Sequence, residues 1–371
     1  MPSDSFVISY IEGDGVGPEL FRAARRVLDA ISESFDLEFE YQSAPAGDKQ
    51  QKRTGKSLPK RSLETIKDSD ACLKAPVGES ARNSILKIRQ ELDLYANIRP
   101  VQNLPFVKSK FAMVDLVIVR ENTEDFYICK ESVYDHGSRA IALKVITKKA
   151  SARIARRAFD LVLSRNKSNR SVVCVSKSNV LPKTDGLFVK SCAGVARKFP
   201  SVSFSHMYVD AAAMNLIRNP ESFDVIVTTN LYGDILSDEA SQLVGGLGLA
   251  PSANLGDSFG LFEPVHGSAP DIAGKGIANP LAILLSVKMM LDWLGTSKRS
   301  ENCTRASDVL LNAVCAVGES GIMTPDIGGS AMTDQVAKKV SEVVCQNSLK
   351  KHGNNVPKIE SIVTKTLRVR E

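Results

Sequence analysis

Two aspartates four residues apart, Asp234 and Asp238, lie in the stretch DVIVTTNLYGDILSD that runs from Asp224 to Asp238. Val225 to Thr229 is an apolar, β-branched run of the kind that forms a buried strand, and Asn230 and Gly233 break it. A helix starting near Leu231 would stack both carboxylates on one face, one turn apart. At a strand-to-helix junction such a pair suits a hard divalent cation, which takes oxygen ligands. A plainer alternative makes Asp234 a helix cap and Asp238 a surface residue. Three arginines add to the picture: Arg89 in a helical stretch from Asn83 to Glu91, Arg99 just before a proline, and Arg120 at the end of the strand-like DLVIV, residues 115–119. A guanidinium is a planar fork matched to a carboxylate, although any one of them would serve equally well in a structural salt bridge. Taken with Tyr127 and Lys177, the three describe a pocket for a polyanion.

The elements that must position these groups alternate between strand and helix. Phe6–Ile11 reads as a strand, and Gly13, Gly15, Gly17 and Pro18 as a turn into a helix that runs to Ile31. This turn is not GxGxxG with an acid at the end of a second strand, so it is read as a loop whose backbone approaches something closely. Residues 45–62 read as loop, Ser62–Ile66 as a short helix and Ala71–Ala75 as a strand. Ala140–Ile146 reads as a strand and Ser151–Ser164 as an amphipathic helix. The strand Val172–Val175 is followed at once by Lys177 and Asn179, and Phe204–Tyr208 delivers Asp210. After Asp238 come a glycine-rich stretch, Gln242–Asp257, and a polar one carrying His266, Asp271, Gly274, Gly276 and Asn279; long structured loops of this kind are usually functional. Leu281–Leu294 is an apolar helix with Trp293 packed, and residues 305–319 and 331–346 are amphipathic helices. The tail 350–371 alternates weakly.

A chain of 371 residues points to two domains, and 43% hydrophobic with 24% charged residues is ordinary globular composition. The net charge of +6 is scattered, without the basic run or zinc spacing of a nucleic-acid binder; it suits an anionic small substrate. The basic cluster Lys148, Lys149, Arg153, Arg156 and Arg157 reads as the outer face of a helix whose Ala150, Ile154, Ala155 and Ala158 turn inward. Seven cysteines with no CxxC pair indicate reduced thiols in a reducing compartment. The start lacks the pattern of a signal peptide, and no apolar run approaches the length of a membrane span. The expected location is the cytoplasm, or the mitochondrial matrix if a leader has been removed.

Six stretches together resemble the decarboxylating dehydrogenases of isocitrate, homoisocitrate and 3-isopropylmalate: EGDGVGPE at 12–19, LDLYANIRP at 92–100, VRENTEDFY at 119–127, SKSNVLPKTDGLF at 176–188, NLYGDILSD at 230–238 and EPVHGSAPDIAGKGIANP at 263–280. The resemblance implies an α/β fold of the isopropylmalate dehydrogenase type rather than a Rossmann fold. It implies a large discontinuous nucleotide-side domain, residues 1–98 with 251–371, and a small dimerisation domain, 99–250, that carries metal and substrate residues. It further implies a homodimer, or a dimer of dimers, with shared active sites: Lys177 and Asp210 would serve the partner's cleft. Asp210, Asp234 and Asp238 would hold Mg²⁺ or Mn²⁺. Arg89, Arg99 and Arg120 would clamp the substrate carboxylates, Lys177 would act as base and Tyr127 as acid, and Asn83, Ile85 and Asn179 would also meet the substrate.

For the cofactor, Glu263, His266, Gly267, Ser268, Ala269, Asp271, Ile272 and Asn279 fall where the family binds its dinucleotide. Asp271 would accept hydrogen bonds from ribose hydroxyls and repel a 2′-phosphate, which implies NAD. Where isocitrate enzymes place serine and asparagine, six and four residues before the first arginine, this chain has Asn83 and Ile85. RENTEDFY resembles the tricarboxylate enzymes. The expected reaction is therefore oxidative decarboxylation of homoisocitrate to 2-oxoadipate, a step of lysine synthesis. Isocitrate and the 3-isopropylmalate of leucine synthesis are the alternatives, with tartrate or D-malate behind them. A non-catalytic regulatory subunit is disfavoured because every metal and proton-transfer residue is present.

Overall fold

The computed structural model describes residues 4–165 and 167–349, so the tail 350–371 lies outside the described residues. Strand β1 (Asp4–Ile11) alternates buried and half-exposed residues and leads through the glycine turn into α1 (Gly17–Phe35). Then come β2 (Leu37–Ser43), α2 (Asp48–Thr54), α3 (Lys60–Lys67), β3 (Ala71–Lys74) and α4 (Arg82–Glu91). Helix α2 occupies part of the expected loop. Its first turn is capped by the distant Asp14, whose carboxylate accepts from Asp48 N at 2.7 Å and Lys49 N at 2.9 Å, so the local sequence carries no start signal.

Strands β4 (Ala96–Gln102) and β5 (Asp115–Glu121) follow, then a hairpin of β6 (Glu131–Tyr134) and β7 (Arg139–Ala142). The expected strand at 140–146 is thus shorter and is paired with a strand that was not expected. Next are α5 (Lys148–Ser164), β8 (Ser171–Ser176), α6 (Thr184–Ala196), β9 (Ser203–Tyr208), α7 (Val209–Arg218), β10 (Val225–Thr228) and α8 (Asn230–Gln242). The chain closes with β11 (Pro251–Leu255), β12 (Gly260–Pro264), α9 (Leu281–Ser297), α10 (Glu301–Glu319) and α11 (Thr333–Leu349).

Ten strands form one sheet in the order β2-β1-β3-β12-β11-β4-β5-β10-β8-β9. Both flanks are parallel, but β12, β11, β4 and β5 pair antiparallel across the middle. A doubly wound Rossmann sheet has no such centre. The central strands β11 and β12 were hidden in stretches that read as glycine-rich and polar. They are buried throughout, and they carry Ser252, Asn254 and Glu263 inside the protein, so neither alternation nor an apolar run marks them.

The largest core packs α1, α9 and α10 against the sheet, and α9 is buried from Leu281 to Leu294. A second core is formed by residues between Val101 and Val244 alone, including Ile118, Val175, Leu216, Ile226 and Leu236. No helix among the described residues is long and apolar enough to cross a membrane.

Candidate active site

Helix α8 begins at Asn230, directly after β10, so Asp234 sits in its second turn and does not cap it; the capping alternative falls. Arg99 projects from the middle of β4 and Arg120 from near the end of β5, and both reach α8. Arg99 donates to Asp234 Oδ1 at 3.1 Å, Asp238 Oδ1 at 3.2 Å, Ser237 Oγ at 2.6 Å and Asn97 Oδ1 at 2.7 Å. Arg120 donates to Asp234 Oδ1, and its Nε and Nη2 reach Asn230 Oδ1 at 2.8 and 2.6 Å. Gly233 makes this approach possible, because a Cβ there would lie 2.6 Å from Arg120 Cγ. Tyr127 donates its hydroxyl to Asp234 Oδ2 at 2.5 Å, with Arg120 4.9 Å over its ring.

Burial alone would raise the Asp234 carboxyl, but Arg120 and Arg99 outweigh it and hold it down at about 2. Burial, with the neighbouring Arg120, lowers Arg99 to about 10. Asp238, nearer solvent, is pushed up by burial, and burial also pushes Tyr127 up. An ionised and a partly exposed carboxylate on one helix face are the hard oxygen donors that Mg²⁺ or Mn²⁺ takes, so the residues fit such an ion. Two guanidiniums already balance them.

Arg89 turns to a different acid. It donates to Glu263 at 3.2 Å, where Lys74 at 2.7 Å and Asn254 at 2.8 Å also converge. Burial works to raise Glu263, yet Lys74 and Arg89 hold it down at about 2. Glu263, expected on the cofactor side, is thus buried against the first arginine. Ile85 lies one turn before Arg89 on the same face of α4 and packs with the core around Ile11, Leu63 and Ile88. Asn83 is exposed and sits about a third of a turn away from Arg89 around the helix, so its amide and Arg89 do not share a face.

Lys177, half-buried, forms an ion pair with Asp210 at the start of α7, which is exposed, as is Asn179. The hydrogen bond from Lys177 lowers the Asp210 carboxyl. Among the described residues no three acid, histidine or cysteine side chains come together to hold a metal, so Asp210 does not join Asp234 and Asp238 within one chain.

A buried network not expected from the sequence supports both halves. The Asp185 carboxylate accepts from Lys177 N at 2.7 Å and lies 2.7 Å from Lys144 Nζ. Lys144 also lies 3.5 Å from Asp125, which accepts from Leu231 N at 3.0 Å in the first turn of α8 and from Phe126 N at 2.9 Å beside Tyr127. Single charges far apart in sequence leave no local trace.

The expected cofactor loop locks onto the first glycine turn: Val16 N donates to Ser268 O at 2.9 Å. A Cβ on Gly15 would fall 1.9 Å from that same oxygen, and Gly15 has φ 57°. Ala269 holds φ 40°, and His266 Nδ1 donates to Gly267 O at 3.0 Å, with burial lowering the imidazole. Gly267 and Asp271 are exposed and Ile272 is half-buried. Asn279 is buried; its Oδ1 accepts from Leu281 N at 2.9 Å at the start of α9, and its Nδ2 donates to Asp326 at 2.9 Å. Its amide therefore serves the loop's own geometry.

A family model described as isocitrate/isopropylmalate dehydrogenase matches residues 7–344. The chain belongs to this family. It is an α/β, NAD(P)-dependent, decarboxylating hydroxy-acid dehydrogenase, of a family that generally works with a divalent metal. A 3-isopropylmalate dehydrogenase of Sulfurisphaera tokodaii is 49% identical over 90% of this chain and 98% of its own length. An isocitrate/homoisocitrate dehydrogenase of Thermus thermophilus is 46% identical over 92% and 99%. The crystal structure of isocitrate dehydrogenase from Methylococcus capsulatus superposes with a TM-score of 0.85 at 38% identity, over 92% of this chain and 99% of that one.

Proposed function

We propose that the protein uses NAD to oxidise and decarboxylate a malate that carries an apolar group on its third carbon, with 3-isopropylmalate as the preferred substrate. The observation that carries this is Ile85, which lies one turn from Arg89 on the same face of α4. A substrate whose carboxylate is held by Arg89 would set its third-carbon group against that apolar side chain. The 49% identity to enzymes named for 3-isopropylmalate supports the same choice. Homoisocitrate, the expectation from sequence, is kept as the second reading on the RENTEDFY segment and the 46% identity to the Thermus enzyme.

In this reading Arg99 and Arg120 let go of Asp234 in favour of the malate carboxylates and hold the reacting carbon in place. NAD would supply the hydride acceptor, and Mg²⁺ or Mn²⁺ the Lewis acidity that eases loss of the hydroxyl proton and of CO₂. Lys177 takes the hydroxyl proton, and Tyr127 returns one to the carbon that CO₂ leaves. Asp271, exposed on the loop, supports NAD over a 2′-phosphorylated cofactor, and Asp234 and Asp238 would hold the ion.

The third aspartate and the base would come from a second copy, the partner subunit's Asp210 and the partner subunit's Lys177. Exposed apolar side chains support that association: Val133 and Ile141 on the hairpin, Met214 and Ile217 on α7, and Ile235 on α8. The smaller core formed by residues between Val101 and Val244 alone supports residues 99–250 as one unit, with 1–98 and 251–371 as the other, and the largest core joins the two through Ile154, Phe159 and Phe188. Seven free thiols suit a reducing cytoplasm.

The test is the rate of NADH formation with Mg²⁺ on 3-isopropylmalate, homoisocitrate, isocitrate, D-malate and tartrate. A kcat/KM for 3-isopropylmalate higher by tenfold or more, about 1.4 kcal/mol, is expected. A preference for homoisocitrate would install the second reading, and no turnover with any of the five would defeat both.

A further inference from the structure

Arg89 and Arg99 stand on different elements, and a bridge of four buried hydrogen bonds joins them through the antiparallel centre of the sheet. Arg89 Nη2 donates to Glu263 Oε1 at 3.2 Å, and Asn254 Nδ2 donates to the same oxygen at 2.8 Å. Asn97 Nδ2 donates to Asn254 Oδ1 at 2.9 Å, and Arg99 Nε donates to Asn97 Oδ1 at 2.7 Å. Asn254 on β11 and Asn97 on β4 are paired in register, and both are fully buried.

The charged ends fix which way each amide points. A guanidinium only donates, so Asn97 must turn its oxygen to Arg99 and its nitrogen to Asn254; a carboxylate only accepts, so Asn254 must turn its nitrogen to Glu263. The orientation demanded at one arginine is the one demanded at the other, and a buried network satisfied throughout in this way is rigid. Asn254 is its middle: the oxygen also accepts from Asn122 Nδ2 at 2.9 Å, and the nitrogen also reaches Leu261 O at 3.3 Å. Such amides are costly to bury, and Leu116 to Val119 on β5 show that strands of this sheet can be filled with apolar side chains instead. Held by Asn97 at Nε, Arg99 keeps its place when its terminal nitrogens exchange Asp234, Ser237 and Asp238 for a ligand.

We propose that Asn254 is a positioning residue that fixes Arg89 and Arg99 relative to each other, and so the fit of the site to a substrate's two carboxylates. This rests on the reading that both arginines hold substrate carboxylates. Asn254 itself touches neither substrate nor cofactor; it acts through Glu263 on one side and Asn97 on the other.

Asn254→Leu cuts the bridge at its middle while each neighbour keeps another partner: Asn97 Nδ2 keeps Ser252 Oγ at 2.8 Å, Asn122 Nδ2 keeps Leu94 O at 2.9 Å, and Glu263 keeps Arg89 and Lys74. Asn254→Ala cuts the same bridge but opens space instead of filling it, so that one variant reads if the other fails to fold. Ser252→Ala is the comparison, because it takes one hydrogen bond from the Asn97 amide and leaves the bridge whole. Initial rates are measured on whichever of the five substrates named above the parent turns over. The KM for that substrate should rise about tenfold or more in the Asn254 variants, the scale of a lost charge-linked hydrogen bond, with the KM for NAD unchanged and Ser252→Ala like the parent. An unchanged substrate KM in a folded Asn254 variant overturns the role. So does an equal rise in Ser252→Ala, or an equal rise in the KM for NAD, either of which would mark a general loosening of the core. A parent inactive on all five substrates defeats the proposed function itself, and the role of Asn254 with it.

Discussion

The two clusters of candidate catalytic residues carried by one chain are built to different degrees. Around Asp234 every group is held more than once: two arginines, a tyrosine and a serine, with Asn97 and Asn230 fixing the arginines from behind. The half-buried Lys177 side chain has one ion pair, with the exposed Asp210, while its backbone N–H is held by Asp185. The difference teaches that the Asp234 cluster is fixed in advance by its own hydrogen bonds, whereas the Lys177–Asp210 pair rests on a single contact; under the proposed function the first would receive substrate and metal and the second would be completed by a partner subunit. The same buried lysine, Lys144, stands behind both, through Asp125 on one side and Asp185 on the other.

The contrast breaks first at the open half. Lys177→Ala should lower turnover by about 10² to 10⁴-fold, the usual worth of a general base, while Mg²⁺ and NAD binding measured by equilibrium dialysis stay intact. Unchanged turnover would remove Lys177 from the chemistry. At the Glu263 cluster, which holds Arg89 apart from Asp234, the largest effect falls on stability. The buried Glu263 carboxyl is held at about 2 against an ordinary 4.5. That depression stabilises the fold fully above the ordinary value and is lost as pH falls through about 2. Glu263→Gln should cost on the order of 3 kcal/mol at neutral pH and flatten the acid limb of urea unfolding between those two pH values. A variant as stable as the parent at pH 7 would mean that Lys74 and Arg89 are satisfied without it. The smallest effect sharpens substrate choice. Ile85→Asn should shift kcat/KM away from 3-isopropylmalate toward isocitrate by about 1–3 kcal/mol, with turnover of the better substrate preserved.

Much of this contrast was legible in the sequence, and unevenly so. The carboxylate pair on α8 was readable because a buried strand and a helical spacing of four lie side by side in one short stretch. The motif stretches together identified the family and the α/β class. The central strands β11 and β12 were not readable, because Asn254 and Glu263 face inward to serve Asn97 and Arg89, and buried polar residues erase the pattern that marks a strand. Helix α2 escaped because its cap is Asp14, remote in the chain.

The claim that one chain's open half completes another's closed half is tested most directly by mixing two inactive variants. Lys177→Ala and Tyr127→Phe are purified separately, then unfolded and refolded together. If each site takes Lys177 from one subunit and Tyr127 from the other, random pairing in a two-fold dimer restores about a quarter of wild-type activity. If both residues serve a site within a single chain, every mixed dimer stays as inactive as its parents, and the shared-site account is contradicted.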